Sequence, residues 1–352
     1  MTDPSRRPAA NPGPPVDAVL LVSFGGPEGP AEVLPFLENV TRGRNIPRRR
    51  LLAVAEHYDA LGGVSPINRQ NRDLIAALER ELAATGHPLP VYFGNRNWTP
   101  YLIDTVRKMA SAGSRHAAAY VTSANAGYSS CRQYREDIAG AQAEVGESAP
   151  RITKLPHFFD QPGFVQPLAR NVQEALGRIP ADLRGEAHLA FTAHSVPLSA
   201  AAAAGPSGGA YVAQLRDTAR LVADRVDGRH PWELVWQSRS GPPTQPWLEP
   251  DISNHLSALS AAGAPAVVVA PIGFVSDHVE VVHDLDDEAR HAADRLGLPF
   301  ARAATVGTAP EFVRMIAELL RELDEPGTAA VGWGDPALRW TQCPANCCSA
   351  VR

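Results

Sequence analysis

The chain lacks several things that would narrow its role in other directions. It has no apolar run of about 18 residues, so no transmembrane helix is expected. Positive charge is not in excess: 33 Lys and Arg stand against 38 Asp and Glu, a net charge of −5. A general nucleic-acid binder needs a phosphate-neutralising surplus, so no nucleic-acid partner is expected. Neither GxGxxG nor GxxxxGK[ST] occurs, and the pair Gly25-Gly26 alone supports nucleotide binding only weakly. The first 16 residues, MTDPSRRPAANPGPPV, contain no apolar h-region and read as a disordered tail rather than a signal peptide. A cytoplasmic address is the expectation. Cysteine is scarce, with only four in 352 residues, and a disulfide framework is not expected in a reducing compartment. Three of the four, Cys343, Cys347 and Cys348, fall in the last ten residues, with Cys131 far upstream. Thiols clustered in this way point to a bound metal or cluster.

What is present is a regular alternation. At 44% hydrophobic and 20% charged, the composition is that of a globular protein, and the length suits two α/β domains of about 150 residues each. Short apolar, β-branched runs predict strands at Ala18–Phe24, Pro90–Asn95, Ala117–Thr122, Arg151–Leu155, His188–Ala193, Glu233–Gln237, Ala266–Ala270 and Phe300–Ala303. Helical patterns lie between them, as at Asn71–Ala84, Tyr101–Ser111, Ala210–Val226 and Glu280–Leu296. The two halves also resemble each other. AAAYVTSANAGY parallels PAVVVAPIGFVS and QPGFVQPLA parallels APEFVRMIA, each at an offset of 148 residues (117 to 265, 161 to 309). The fold class predicted is α/β, two similar Rossmann-like domains with parallel four-stranded sheets and a ligand cleft between them. The expected boundaries are 1–16 for the tail, 17–182 and 183–325 for the domains, and 326–352 for a cysteine-bearing tail.

Ligands of such sheets bind beyond the carboxyl ends of the strands. The fifth strand ends in Thr192-Ala193-His194-Ser195, which places an imidazole just past a buried strand. The seventh leads through PIGFVSDHVE to a helix carrying Glu280, Asp284 and Glu288 at i, i+4 and i+8, a column on one helical face. A solvated acidic face near a helix N-terminus is one reading of that column. A ladder of hard oxygen ligands that passes a divalent cation toward His194 is the other. Ser195 adjoins His194, but neighbours on an extended segment point to opposite faces, which argues against a serine hydrolase.

At these residues the chain resembles the ferrochelatases, above all their actinobacterial coproporphyrin branch. LLVSFGGPEG, ENVTRGRNIP, HYDALGGVSPIN, VYFGNRNW, GYSSCRQY, LAFTAHSVP, WQSRSGPP and PIGFVSDHVEVVHDLD all stand in that family's order. The resemblance implies an enzyme that inserts ferrous iron into coproporphyrin III. It implies His194 and Glu280 as the catalytic, metal-binding pair, with Asp284 and Glu288 as the metal path. Ser65, Tyr128, Tyr134, Arg42 and Arg44 match porphyrin-contacting segments. Cys131, Cys343, Cys347 and Cys348 supply the thiolates for a 2Fe–2S cluster, with a structural zinc ion or unligated free thiols as the alternatives. A monomer is expected. Two departures stand out: Phe24 occupies a position where some relatives have Tyr, and the loop after the histidine motif reads AAAAAGPSGGAY. Protoporphyrin or a precorrin-type ring as substrate, and a non-catalytic haem or metal carrier, are the rival readings.

Overall fold

Val19 to Val22 and Val267 to Val269 are buried on both faces, as central parallel strands must be. The structure, a computed structural model, describes residues 14–44, 46–241, 244–340 and 343–350. Among them the strands form two parallel sheets. The first holds β1 (Ala18–Ser23), β2 (Val91–Asn95), β3 (His116–Val121) and β4 (Arg151–Lys154) in the order β2-β1-β3-β4. The second holds β5 (His188–His194), β6 (Trp232–Gln237), β7 (Val267–Ala270) and β8 (Phe300–Arg302), and repeats that order as β6-β5-β7-β8. Helices Pro162–Leu176 and Pro310–Arg321 begin at equivalent points of the two halves, 148 residues apart. Every strand begins within one residue of its expected position.

Strand alternation decides which core each side chain joins. The odd-numbered residues Val19, Leu21, Leu189 and Phe191 face a core shared by the two sheets. Helices Ile67–Ala84, Pro162–Leu176, Ala210–Val226 and Pro310–Arg321 fill it. At its centre Phe158, Phe164 and Phe312 pack edge to face or tilted, with ring centroids 5.4 to 6.0 Å apart. Each buried aromatic contributes roughly 1.5–3 kcal/mol of transfer energy. The even-numbered Ala190 faces a separate core with Val235, Leu256, Val281 and Leu285. His194 continues the Ala190 side of β5, so the fold aims it toward the segment that carries Glu280.

The expected 1–16 tail lies mostly outside the described residues; Val16 is buried and its N–H donates to the Asp324 carboxylate at 3.1 Å. The region beyond 326 docks by charge. Arg339 pairs with the fully buried Asp160 at 2.7 Å, the Asp335 N–H donates to Asp217, and Arg225 stacks over Trp333 at 3.3 Å. Among the described residues, no helix is long and apolar enough to cross a membrane.

Candidate metal-handling site

The carboxyl ends of β5, β6 and β7 meet at one place. Gly273 makes this possible, because a Cβ there would lie 2.5 Å from that of Ala193. Its absence lets the chain leaving β7 press against β5, with the Gly273 N–H donating to the Thr192 carbonyl at 3.1 Å. The same segment delivers Glu280, and His194 Nε2 lies 3.6 Å from Glu280 Oε2. Both side chains stay open to solvent, at 33% and 52% exposure. Nδ1 of His194 lies 2.5 Å from the Ser195 carbonyl, which can only accept, so Nδ1 carries the proton. In a neutral imidazole Nε2 is then the acceptor that faces the carboxylate. Two acceptors this close repel unless a proton or metal ion lies between them. Ser195 points away and donates to the Leu248 carbonyl, as alternation requires.

The acidic column runs on a different coil from the one expected. The predicted continuous helix Glu280–Leu296 is instead a short α-helix Val279–Val281, a π-helix Val282–Ala289 and an α-helix Arg290–Leu296. The spacing Val281, Leu285, Ala289, all buried in one core, is met by either coil, so the pattern does not separate them. Such π segments are rare and recur at functional sites.

Asp284 is the most perturbed of the three. Burial pushes its carboxyl up to about 6, reinforced by the charges of Glu280 and Glu288, while the Ser238 hydroxyl bond opposes the shift. Gln237 pairs with His194 across β5 and β6 and donates to Asp284 at 3.3 Å; Ser238 donates to the same oxygen. Ser238 does so from a left-handed backbone, φ 61°, which a non-glycine residue adopts only when its surroundings hold it there.

Histidines complete the outer end. Ligand atoms of His283, Asp284 and Glu288 all lie within 4.8 Å of one another. His283 stacks on His57 of the N-terminal half, ring centroids 3.7 Å apart. Burial lowers the pKa of His57, and the neighbouring His283 adds to that. Tyr58, next in the chain, is buried and stays a phenol: burial and the Glu280 charge both raise its pKa. Val279 packs into the cluster of Phe36, Leu37 and Tyr58, which fastens the start of the column to the N-terminal half. His57, Tyr58, Gln237, Ser238 and His283 were not among the expected site residues. They lie inside HYDALGG, WQSRSGPP and VEVVHDLD, three of the motifs that carry the resemblance.

The remaining expected contacts are distributed unevenly. Arg42 and Arg44 are exposed. Tyr128 is half-buried, with its hydroxyl 3.4 Å from Glu136. Tyr134 is buried beneath the Arg96 guanidinium, 4.5 Å from its ring. Ser65 is buried against Gly26, and its N–H donates to the Pro27 carbonyl at 2.8 Å.

The four cysteines, distant in sequence, converge. All are free thiols. Cys131 and Cys347 both perturb the Cys343 thiol, and Cys347 Sγ lies 3.6 Å from Cys348 Sγ. Cys131, helped by the Trp340 indole, pulls the Cys343 thiol down toward thiolate; burial pushes Cys347 up. The Gly205 N–H donates to Cys348 Sγ at 3.1 Å, and Trp340 Nε1 to Cys343 Sγ at 3.3 Å. Four sulfurs with N–H donors aimed at two of them are a donor set that fits a thiolate-ligated cluster.

This duplicated fold, with an imidazole and a carboxylate meeting at the strand ends, has its likeness among the chelatases. The sirohydrochlorin chelatase SirB from Bacillus subtilis subspecies spizizenii superposes with a TM-score of 0.52 at 12% identity, over 88% of this chain and 97% of that one. DR2241 from Deinococcus radiodurans, whose structure is similar to chelatases, gives 0.52 at 17% identity, over 92% of this chain and 58% of that one. The ferrochelatase family model matches residues 16–323, and the chain belongs to the ferrochelatase family. It is 53% identical to the coproporphyrin III ferrochelatase of Streptomyces coelicolor, over 96% of this chain and 94% of that one. It is 54% identical to that of Nocardia farcinica, over 96% and 97%.

Proposed function

We propose that the chain inserts ferrous iron into coproporphyrin III, with release of two protons, as a lyase of haem biosynthesis. The observation that carries this is the approach of His194 Nε2 to the Glu280 carboxylate, two acceptors poised to share a cation. The ring must lose its two pyrrole protons while the metal loses water, and both events need a positioned base. In this reading His194 accepts a pyrrole proton at Nε2 and Glu280 takes up the second or holds the arriving metal. Asp284 and Glu288, with His283 beside them, conduct Fe²⁺ inward from the surface. Neutral imidazole with carboxylate suits Fe(II) and binds it weakly enough for release to the macrocycle. Exposed Arg42 and Arg44, with Tyr128, Tyr134 and Ser65, lie on the segments assigned to the porphyrin and its propionates.

Coproporphyrin is favoured over protoporphyrin because both curated relatives named above carry that substrate in their names. Anaerobic insertion assays should give a kcat/KM for coproporphyrin III at least about tenfold above that for protoporphyrin IX, since extra propionates add binding energy to the reacting complex. Equal values would remove the preference, and a single turnover without release would mark a carrier.

A 2Fe–2S cluster on Cys131, Cys343, Cys347 and Cys348 belongs to the proposal, together with a monomeric, cytoplasmic protein whose thiols stay reduced. When bound, such a cluster supplies electron storage or sensing, neither of which metal insertion consumes. Protein purified anaerobically should show visible charge-transfer bands and equal iron and sulfide; Cys131→Ser should abolish both. Bands that survive in that variant would exclude Cys131 as a ligand.

A further inference from the structure

We infer that Tyr211 is a positioning residue for His194, and that it ties the imidazole mechanically to the cysteine-bearing tail. The inference rests on the reading of His194 given above and goes on to say what holds that residue in place.

The need for such a residue follows from the sheet. β7 pairs with β5 only as far as Ala270 against Phe191. Beyond that point the Thr192 carbonyl is taken by the Gly273 N–H as the chain turns away. Two residues further, the His194 carbonyl lies on the same edge of β5, past the end of its neighbour. Tyr211 Oη donates to it at 2.8 Å. The phenol ring is itself fixed: it is buried and stacks on Trp236, with centroids 6.0 Å apart and planes 30° from parallel. Trp236 belongs to β6 and pairs with Ala193. Backbone and aromatic stack thus confine the peptide unit from which the imidazole projects.

Tyr211 is also the second residue of helix Ala210–Val226, and the first residue touches the thiols. Ala210 is buried in one cluster with Ala126, Cys347 and Cys348, against Trp340 and Cys343. The Ala210 N–H donates to the Ala204 carbonyl, and the next residue after Ala204, Gly205, donates to Cys348 Sγ. Gly205 adopts φ +83°, and a Cβ there would lie 2.5 Å from that of Ala210, so this junction has no slack. Gln214, one turn on, accepts from the Ala126 N–H at 2.6 Å and donates to the Leu338 carbonyl of the tail at 2.9 Å. A displacement of the sulfurs therefore reaches the helix N-terminus directly, and Tyr211 passes it to His194. Packed contacts of this kind transmit small shifts because they cannot deform continuously.

The test uses full-length protein and Tyr211→Phe, which keeps the ring and removes the hydroxyl. The variant should lose about three- to tenfold in kcat, the value of one hydrogen bond, with porphyrin KM within about twofold of wild type and a thermal midpoint within a few degrees. An unchanged kcat would overturn the positioning role. The link to the thiols is read separately, by NMR of the His194 imidazole. Cys348→Ser should shift that resonance when Tyr211 is intact and leave it in place when combined with Tyr211→Phe. Equal shifts in both backgrounds, or none in either, would overturn the coupling. The imidazole signal does not depend on what His194 does chemically, so failure of the catalytic assignment and failure of this link give different results.

Discussion

Substitution of His194 by Ala is expected to lower the rate of metal insertion by about 10²–10⁴, the range in which a positioned base contributes. Porphyrin affinity, measured by fluorescence quenching, should change by less than about threefold, because the proposed role of the imidazole is on the pyrrole protons and not on the ring's periphery. The reason is geometric. With Nδ1 committed to the Ser195 carbonyl, Nε2 is the nitrogen left to accept, and the carboxylate facing it belongs to Glu280. Truncation removes that acceptor while Tyr211 still holds the backbone carbonyl, so the loss is chemical and not a collapse of the strand end. Added imidazole should restore part of the rate by occupying the vacated space. Glu280→Gln should fall in the same direction, and the double variant should lose less than the product of the two, as groups acting on one step do. An H194A protein that inserts iron within about threefold of wild type would refute the assignment.

Much of the framework behind this is local and was therefore legible in the residues. Strands such as AVVVA declare themselves because a parallel strand buried on both faces must be apolar throughout. His194 was visible because a polar residue directly after such a run stands at the carboxyl edge of the sheet. The acidic column was visible by its spacing, but the coil that carries it was not, since Val281, Leu285 and Ala289 satisfy α and π alike. The stack of His57 on His283 joins residues in opposite halves of the chain, and nothing in either segment marks the other as its partner. Tyr211 escaped for a related reason. The loop AAAAAGPSGGAY carries no pattern that marks its final residue, whose role emerges only from the His194 carbonyl at the end of β5, which no neighbouring strand meets. Local chemistry shows in the chain; meetings between distant segments follow from the fold.

Asp284 allows a prediction in which stability and function move in opposite directions. Its carboxyl titrates at about 6 in the native protein against an ordinary value of 3.8. The folded state therefore binds a proton more tightly than the unfolded state does. The associated stability is fully present below pH ~4 and is lost as pH rises through about 6, a difference of roughly 2–3 kcal/mol. Asp284→Asn keeps the shape and the bond to Ser238 without the buried charge. Its urea midpoint should match wild type near pH ~4 and exceed it at about pH 7.5 by the equivalent of about 2 kcal/mol. Iron handling should show the reverse. In wild type the KM for Fe²⁺ should climb as pH falls below about 6, because protons compete for the carboxylate. In the Asn variant it should be high and nearly independent of pH. A residue that lowers stability at neutral pH while its charge serves function is the trade expected where a buried group must stay ionisable. If the Asn variant were no more stable at about pH 7.5, or took up iron as well as wild type, Asp284 would be a packing residue and the route for the metal would lie elsewhere.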